Sequence, residues 1–533
     1  MNHEIISITM CKAHIPKNHN SYEIGVKVQL IGIVGSGSTT TYAPLIIWDQ
    51  VEYLAKEEQL VIIDDFKRNI KYLGVLRNAK RYEPFLSVYR RTSFVDNPSL
   101  VETGTLPHTS AYVMLIGTLA GNEIEEVQLP PNPGSKTYII ESPSDLELNL
   151  GEGLIVGKHK YSGIEVPLSP YWLPYHIAVV GATGTGKSRL VKALVDEILS
   201  KTNNSVIIFD HTGLDYTTFY ENYVIEASEI VLDVSLIADL MIERTGLHPS
   251  TYEPYFTIAV LRYIYESLDK KLLPRVLKLT EGTQQSLTSF TITKSIRFEE
   301  FLSKVDYNKL MEVIAENPIK WSHSKFKSII IRVAEQLAKR ESVKIRLGVA
   351  IDVKLGEEFF NSLSNRTLLP RNVVDIALKN RIAVVDLSTE ELTARRYIVT
   401  SIINELWKRI EGARQPINTI VVIDEAHNYA CRYCGESRQA IARIAREGRK
   451  WGLGVILATQ RIIDIDPEIR GNINTWFFSK LQTPSDFNEL SGYMNLAGIS
   501  EASLAVLGRR EFFVAGLMNP LKVPILLKVK EVQ

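Results

Sequence analysis

The chain has 533 residues and 45% of them are hydrophobic, which is enough for a sizeable core and too long for one ordinary domain. Its 61 basic and 61 acidic residues cancel, so global charge neither supports nor excludes a nucleic-acid partner; a local basic surface would not register in it. Three cysteines, Cys11, Cys431 and Cys434, are too few and odd in number for a secreted disulfide scaffold and fit a reducing compartment.

The opening MNHEIISITM lacks a basic region followed by a long apolar run, so no secretory leader is expected. No apolar stretch approaches the roughly 18–20 residues that span a bilayer, and a cytoplasmic protein is expected. Residues 1–165 carry short β-type runs (KVQLIGIV, LVIID, YLGVL, YVMLIGTL, TYIIES) punctuated by Gly, Pro, Ser and Asn. That pattern predicts a small N-terminal β-barrel or sandwich, with PPNPGSK as a rigid turn-rich connector.

The pattern changes near residue 166. IAVVG (177–181) is an apolar run ending at glycine, followed by a glycine-rich loop and SRLVKALVDEILS. There Leu190, Leu194 and Ile198 recur every four residues beside Val191, Val195 and Leu199, the mark of a helix with a wide apolar face. SVIIFD (205–210), RIAVVDLS (381–388), INTIVVIDEAH (417–427) and LGVILATQ (453–460) read as further buried strands. Apolar strands alternating with helices predict an α/β core with a parallel sheet over 166–216 and 376–505. Residues 217–375 are mostly helical in pattern and too long for a simple crossover, so they are expected as a helical insertion. Residues 506–533 return to strand-like runs and are expected as a C-terminal β segment.

GATGTGKS (181–188) matches G-x-x-x-x-G-K-[ST] between a predicted strand and a predicted helix. Gly181, Gly184 and Gly186 let the loop wrap closely, so that backbone N–H groups from Gly181, Ala182, Thr183, Gly184, Thr185, Gly186, Lys187, Ser188 and Arg189 can face phosphate oxygens. Lys187 is expected on the β- and γ-phosphates and Ser188 on Mg²⁺. VVIDEAH (421–427) ends a strand in two carboxylates; Asp424 suits the Mg²⁺ shell and Glu425 suits a catalytic residue that polarises the attacking water. Gln460, ending LATQR, is placed to sense the γ-phosphate, although a polar strand end can simply begin a loop. Arg446, Arg449 and Lys450 in IAREGRKWG read either as a trans-acting arginine finger or as basic residues pairing with a helix C-terminus; spacing leaves both open. In FDHTGLDY (209–216), Asp210 and Asp215 could line the phosphate side or only cap a turn.

These motifs in this order, with IGIVGSGST, PPNPGSKTY, DEAHNY, AREGRKWGLGVILATQR and the closing VAGL segment, resemble the HerA family of hexameric DNA translocases, within the group that includes FtsK. The resemblance implies a barrel of the HAS type, a RecA-like P-loop ATPase core with an inserted helical bundle, and a C-terminal brace on a neighbouring subunit. It implies ATP and Mg²⁺ as cofactors, with Lys187, Ser188, Asp424 and Glu425 at the nucleotide, Gln460 as sensor and Arg449 as arginine finger. It further implies DNA as partner, a homohexameric ring, and work with the nuclease NurA beside the Mre11–Rad50 pair in DNA end processing, with no membrane. Two departures stand out: Tyr175-His176 replaces an Arg-His pair before the P-loop strand, and Leu214 displaces the acid of the second-strand motif to Asp215. Other loads remain open for such a motor, a viral genome or a protein, as does a nucleotide-bound scaffold. Cys431 and Cys434 form one C-x-x-C, short of the four ligands of a structural zinc site, and are expected as incidental helix cysteines.

Overall fold

The computed structural model describes residues 28–83, 108–278, 296–337 and 340–532, with Leu86, Asp96 and Ser99. The chain divides into two compact units: residues 1–151, 158–165 and 497–499, and the remainder. The opening decapeptide and Cys11 lie outside the described residues.

The first unit is a closed barrel. Its strands are β1 (Gln29–Val34), β2 (Tyr42–Ile47), β3 (Leu60–Asp65), β4 (Ile70–Tyr82), β5 (His108–Ala120), a short β6 (Glu123–Glu125) and β7 (Lys136–Ile139). The order β2-β1-β7-β3-β4-β5 closes through antiparallel pairing of β2 with β5, so six strands leave no open edge among themselves. Alternating residues point inward, and Ile31, Val34, Leu45, Ile63, Tyr72, Val113 and Ile139 form the core. Gly32 is required where β1 meets β2: a Cβ there would sit 2.1 Å from the Ile46 carbonyl oxygen.

The second unit is a mostly parallel sheet flanked by helices. Its strands are β8 (Ile177–Val180), β9 (Ser205–Asp210), β10 (Val224–Glu226), β11 (Ile382–Asp386), β12 (Thr419–Ile423), β13 (Leu453–Thr459), β14 (Thr475–Phe478), β15 (Glu511–Gly516) and β16 (Ile525–Val529). They lie in the order β10-β11-β9-β12-β13-β8-β14-β15-β16. Every residue of β8, β9, β11, β12, β13 and β14 is buried, as strands covered on both faces must be. Pairing is parallel from β10 through β14 and antiparallel for β15 and β16. The closing segment, expected as a separate element, thus extends this same sheet. The core is the RecA-like arrangement in which β13 separates the loop-bearing strand β8 from β12.

Helix α1 (Lys187–Lys201) follows β8 and buries Leu190, Val191, Leu194, Val195 and Ile198. Between β10 and β11 runs a set of helices from Val234 to Asn380, including Val234–Thr245, Pro249–Ser267, His323–Leu337 and Glu341–Lys354. Aromatic rings knit it: Tyr263 stacks on Trp321 with centroids 4.4 Å apart, and Phe326 packs against Phe360 at 5.4 Å. Among the described residues, no helix is long and apolar enough to cross a membrane.

Candidate nucleotide-binding site

In a parallel α/β sheet the loops at the carboxyl ends of the strands share one edge, and ligands bind there. The loops after β8, β9, β12 and β13 meet at that edge around a cleft of about 380 Å³. Thr183, Gly184, Gly186, Lys187, Ser188, Arg189, Leu214, Asp215, Thr218, Phe219, Asp424, Glu425, Gln460 and Arg509 line it.

The glycine loop turns through left-handed backbone at Gly184 (φ 80°) and Gly186 (φ 101°), conformations that side chains resist. Gly181 N–H donates to Thr459 O at 3.3 Å and Ala182 N–H to Lys480 O at 2.7 Å, anchoring the loop to the strands beside it. The Thr185 hydroxyl donates to Ala182 O at 2.8 Å and closes the turn from behind. Gly181, Ala182 and Thr185 therefore shape the loop without lining the cleft. Lys187 opens α1 and its Nζ donates to Gly181 O at 3.0 Å. Burial lowers its pKa while Glu425, Asp424 and Asp215 raise it.

Ser188 Oγ donates to Asp215 Oδ1 at 2.6 Å. Asp424 is 4% exposed; burial, then the carboxylates of Asp215, Glu425 and Asp210, push its pKa up to about 8. Carboxylate oxygens of Asp210, Asp215 and Asp424 all lie within 4.8 Å of one another. An oxygen-only donor set in which burial disfavours the anion is what a small hard divalent cation relieves. Asp210 is a different case from its neighbours. Its oxygens accept from the N–H groups of Gly213 at 2.9 Å and Tyr216 at 2.8 Å, so it caps the 210–216 turn and does not line the cleft.

Glu425 sits in left-handed backbone (φ 42°), which is uncommon for a side-chain-bearing residue and is the kind of strain found at functional sites. Gln460 Nε2 donates to Glu425 Oε1 at 2.8 Å, and Gln460 Oε1 accepts from Thr183 Oγ1 at 2.9 Å. Gln460 thereby bridges the glycine loop and the acid. His427 Nδ1 lies 3.3 Å from Glu425 Oε2 on the other side. The cleft brings together the glycine loop, the Lys187 ammonium, the Asp215 and Asp424 carboxylates and the Glu425 carboxylate, whose Oε1 accepts from Gln460 while its buried Oε2 has no hydrogen-bond partner among the described residues.

Residues 154–406 match the family described as "Helicase HerA, central domain". The DNA double-strand break repair helicase HerA of Sulfurisphaera tokodaii is 27% identical over 438 residues, covering 79% of this chain and 78% of the relative. Its counterpart from Sulfolobus acidocaldarius is 26% identical over 470 residues, covering 86% of each. The chain is thus similar to the HerA helicases over most of its length. Among solved structures, VirB4 of Thermoanaerobacter pseudethanolicus aligns with a TM-score of 0.43 at 16% identity, over 72% of this chain and 97% of that one.

Arg449 lies outside the cleft of its own chain. It sits in the Gly448–Trp451 turn after helix Gly435–Glu447, with its guanidinium 5.8 Å from the Tyr175 ring centroid. Arg446 is engaged with Glu468. The two residues that replace the Arg-His pair are structural. Tyr175 packs under Arg449, and His176 Nε2 faces Ala445 O at 3.1 Å while Nδ1 accepts from Val455 N–H at 3.3 Å. Burial of His176 holds its pKa down at about 4.

Cys431 and Cys434 differ from expectation. They are joined by a disulfide and lie in the turn before the helix that begins at Gly435, not on a helix. Gly435, in left-handed backbone (φ 61°), starts the helix only after both cysteines have passed. The sequence reading also missed Thr218, Phe219 and Arg509 in the cleft. They belong to no periodic or glycine-marked motif, and only the folded loops bring them to Lys187.

Proposed function

We propose that this chain is an ATP-driven DNA translocase or helicase acting in double-strand break repair. Support comes from one juxtaposition: the lysine of the glycine loop, the paired acids of β12 and the Gln460 bridge share a single cleft. The loop from Thr183 to Arg189 would hold the phosphates of ATP, with Lys187 supplying positive charge. Ser188 and Asp424, with Asp215 beside them, would hold Mg²⁺, which would supply positive charge to offset that of the phosphates. Glu425 orients water for in-line attack on the γ-phosphorus, accepting its proton as the bond to the β-γ bridging oxygen breaks. Gln460, bonded to both Glu425 and Thr183, senses whether the terminal phosphate is present.

A pure nucleotide-bound scaffold has no use for a carboxylate held in strained backbone and oriented by the Gln460 amide, so the enzymatic reading is favoured. The two relatives are named as DNA repair helicases, and DNA is the load proposed here. The ring is a homohexamer in the cytoplasm, in which Arg449 completes a neighbour's site, and the partner is a nuclease of the NurA type with the Mre11–Rad50 pair in DNA end processing. Loop contacts to the phosphate backbone would give little sequence preference and strong salt dependence. The load is tested by ATP turnover with and without duplex DNA. Stimulation at low salt that fades as salt rises supports DNA; a rate indifferent to DNA removes it.

A further inference from the structure

Three cations line the cleft, and two of them are engaged by the protein itself. Lys187 Nζ donates to Gly181 O at 3.0 Å. Arg189 Nη1 donates to Val532 O at 3.0 Å, and its guanidinium lies 4.7 Å from the Phe219 ring centroid. The third, Arg509, is exposed, and among the described residues its guanidinium has no hydrogen-bond or ion-pair partner. Such an arginine in a cleft that also holds Asp215, Asp424 and Glu425 is an anion receptor waiting for its anion.

Its placement is fixed by the phosphate-binding turn. Arg510 N–H donates to Thr185 O at 2.7 Å, and Val529 N–H donates to Arg510 O at 2.9 Å, so residue 510 is held between the glycine loop and β16. Arg510 adopts left-handed backbone (φ 64°), unusual for a residue with a side chain. Gly186 approaches so closely that a Cβ there would stand 3.2 Å from Arg510 Cγ. On the other flank, Gly508 N–H donates to Glu511 Oε2 at 2.9 Å. The turn before β15 is thus tied at each end, and Arg509 is the residue it presents to the cleft.

We propose that Arg509 binds the phosphate chain of the nucleotide from within the same subunit, supplying positive charge that Lys187 alone does not. The inference rests on the ATPase reading above and adds a residue to it, separate from the trans role given to Arg449. A guanidinium offers a fork of donors to two phosphate oxygens, and lysine at the same place offers a point charge.

The test is calorimetric titration of the full chain, as wild type, Arg509→Ala and Arg509→Lys, with two ligands: a non-hydrolysable MgATP analogue and magnesium tripolyphosphate, which has the phosphates and no base. Arg509→Ala should weaken both ligands by about tenfold, with Arg509→Lys in between and the unliganded melting temperature unchanged. Wild-type binding of both ligands with Arg509→Ala equally tight overturns the inference and leaves the ATPase reading standing. A loss for the ATP analogue without a loss for tripolyphosphate assigns Arg509 to base or ribose and also overturns it. Wild type that binds neither ligand overturns the ATPase reading and this inference with it.

Discussion

Asp424 and Glu425 are adjacent in sequence and have been given opposite surroundings. Asp424 is buried among other carboxylates, which makes its anion costly until a cation arrives. Glu425 accepts from the Gln460 amide, which orients its carboxylate, and His427 Nδ1 lies 3.3 Å from its other oxygen. The same contrast of surroundings acts on His176, whose neutral ring joins the end of one helix to β13. A free histidine titrates near 6.5 and this one near 4, because burial disfavours the imidazolium. Between those values the unfolded chain binds the extra proton, so the stability it provides is full above 6.5 and is lost as pH falls toward 4. From about pH 7 to about pH 5 the loss from this residue is about 2 kcal/mol. Urea unfolding of wild type and His176→Gln at those two pH values checks it. The variant should lose less stability on acidification than wild type, and equal losses would show that His176 does not carry the dependence.

At the scale of elements, what the sequence made legible follows from burial. β8, β9, β11, β12 and β13 are covered on both faces, so each is a largely apolar run, and those of β12 and β13 are followed at once by Asp424–Glu425 and Gln460 of the cleft. The helix Lys187–Lys201 announces itself through Leu190, Leu194 and Ile198, all fully buried. Partners are another matter, because strand propensity does not say what a strand pairs with. Nothing in EFFVAGL or VPILLKVK distinguishes a separate brace from β15 and β16 pairing onto the core sheet. The barrel likewise depends on β2 meeting β5, a closure of chain ends some seventy residues apart that no local pattern encodes. The inserted helices were legible as helical and not as individual elements, since their aromatic contacts are long-range. At the site, loop glycines and strand-end acids were visible because phosphate and cation chemistry restricts residue type. The sequence leaves Asp210 open between ligand and cap, because a strand-end aspartate has the same signature either way; in the fold it caps its own turn. The Cys431–Cys434 pair was misplaced because the turn from Ala430 to Cys434 breaks the helical reading.

For the whole molecule, the cleft of one chain contains an acid, a lysine and a sensor amide, and Arg449 stands apart from them beside Tyr175. If Arg449 acts across a subunit boundary, then Arg449→Ala and Glu425→Gln chains, each inactive alone, should regain ATP turnover when assembled together, because some interfaces pair an intact Glu425 with an intact neighbouring Arg449. Mixed assemblies verified by mass that show no recovery would confine Arg449 to its own chain. All of this depends on the cleft being a site of hydrolysis and not of binding alone. The most direct measurement compares MgATP affinity with steady-state turnover in wild type and Glu425→Gln. Affinity should be nearly unchanged and turnover at least about a hundredfold lower in the variant. Turnover in Glu425→Gln equal to that of wild type would contradict it.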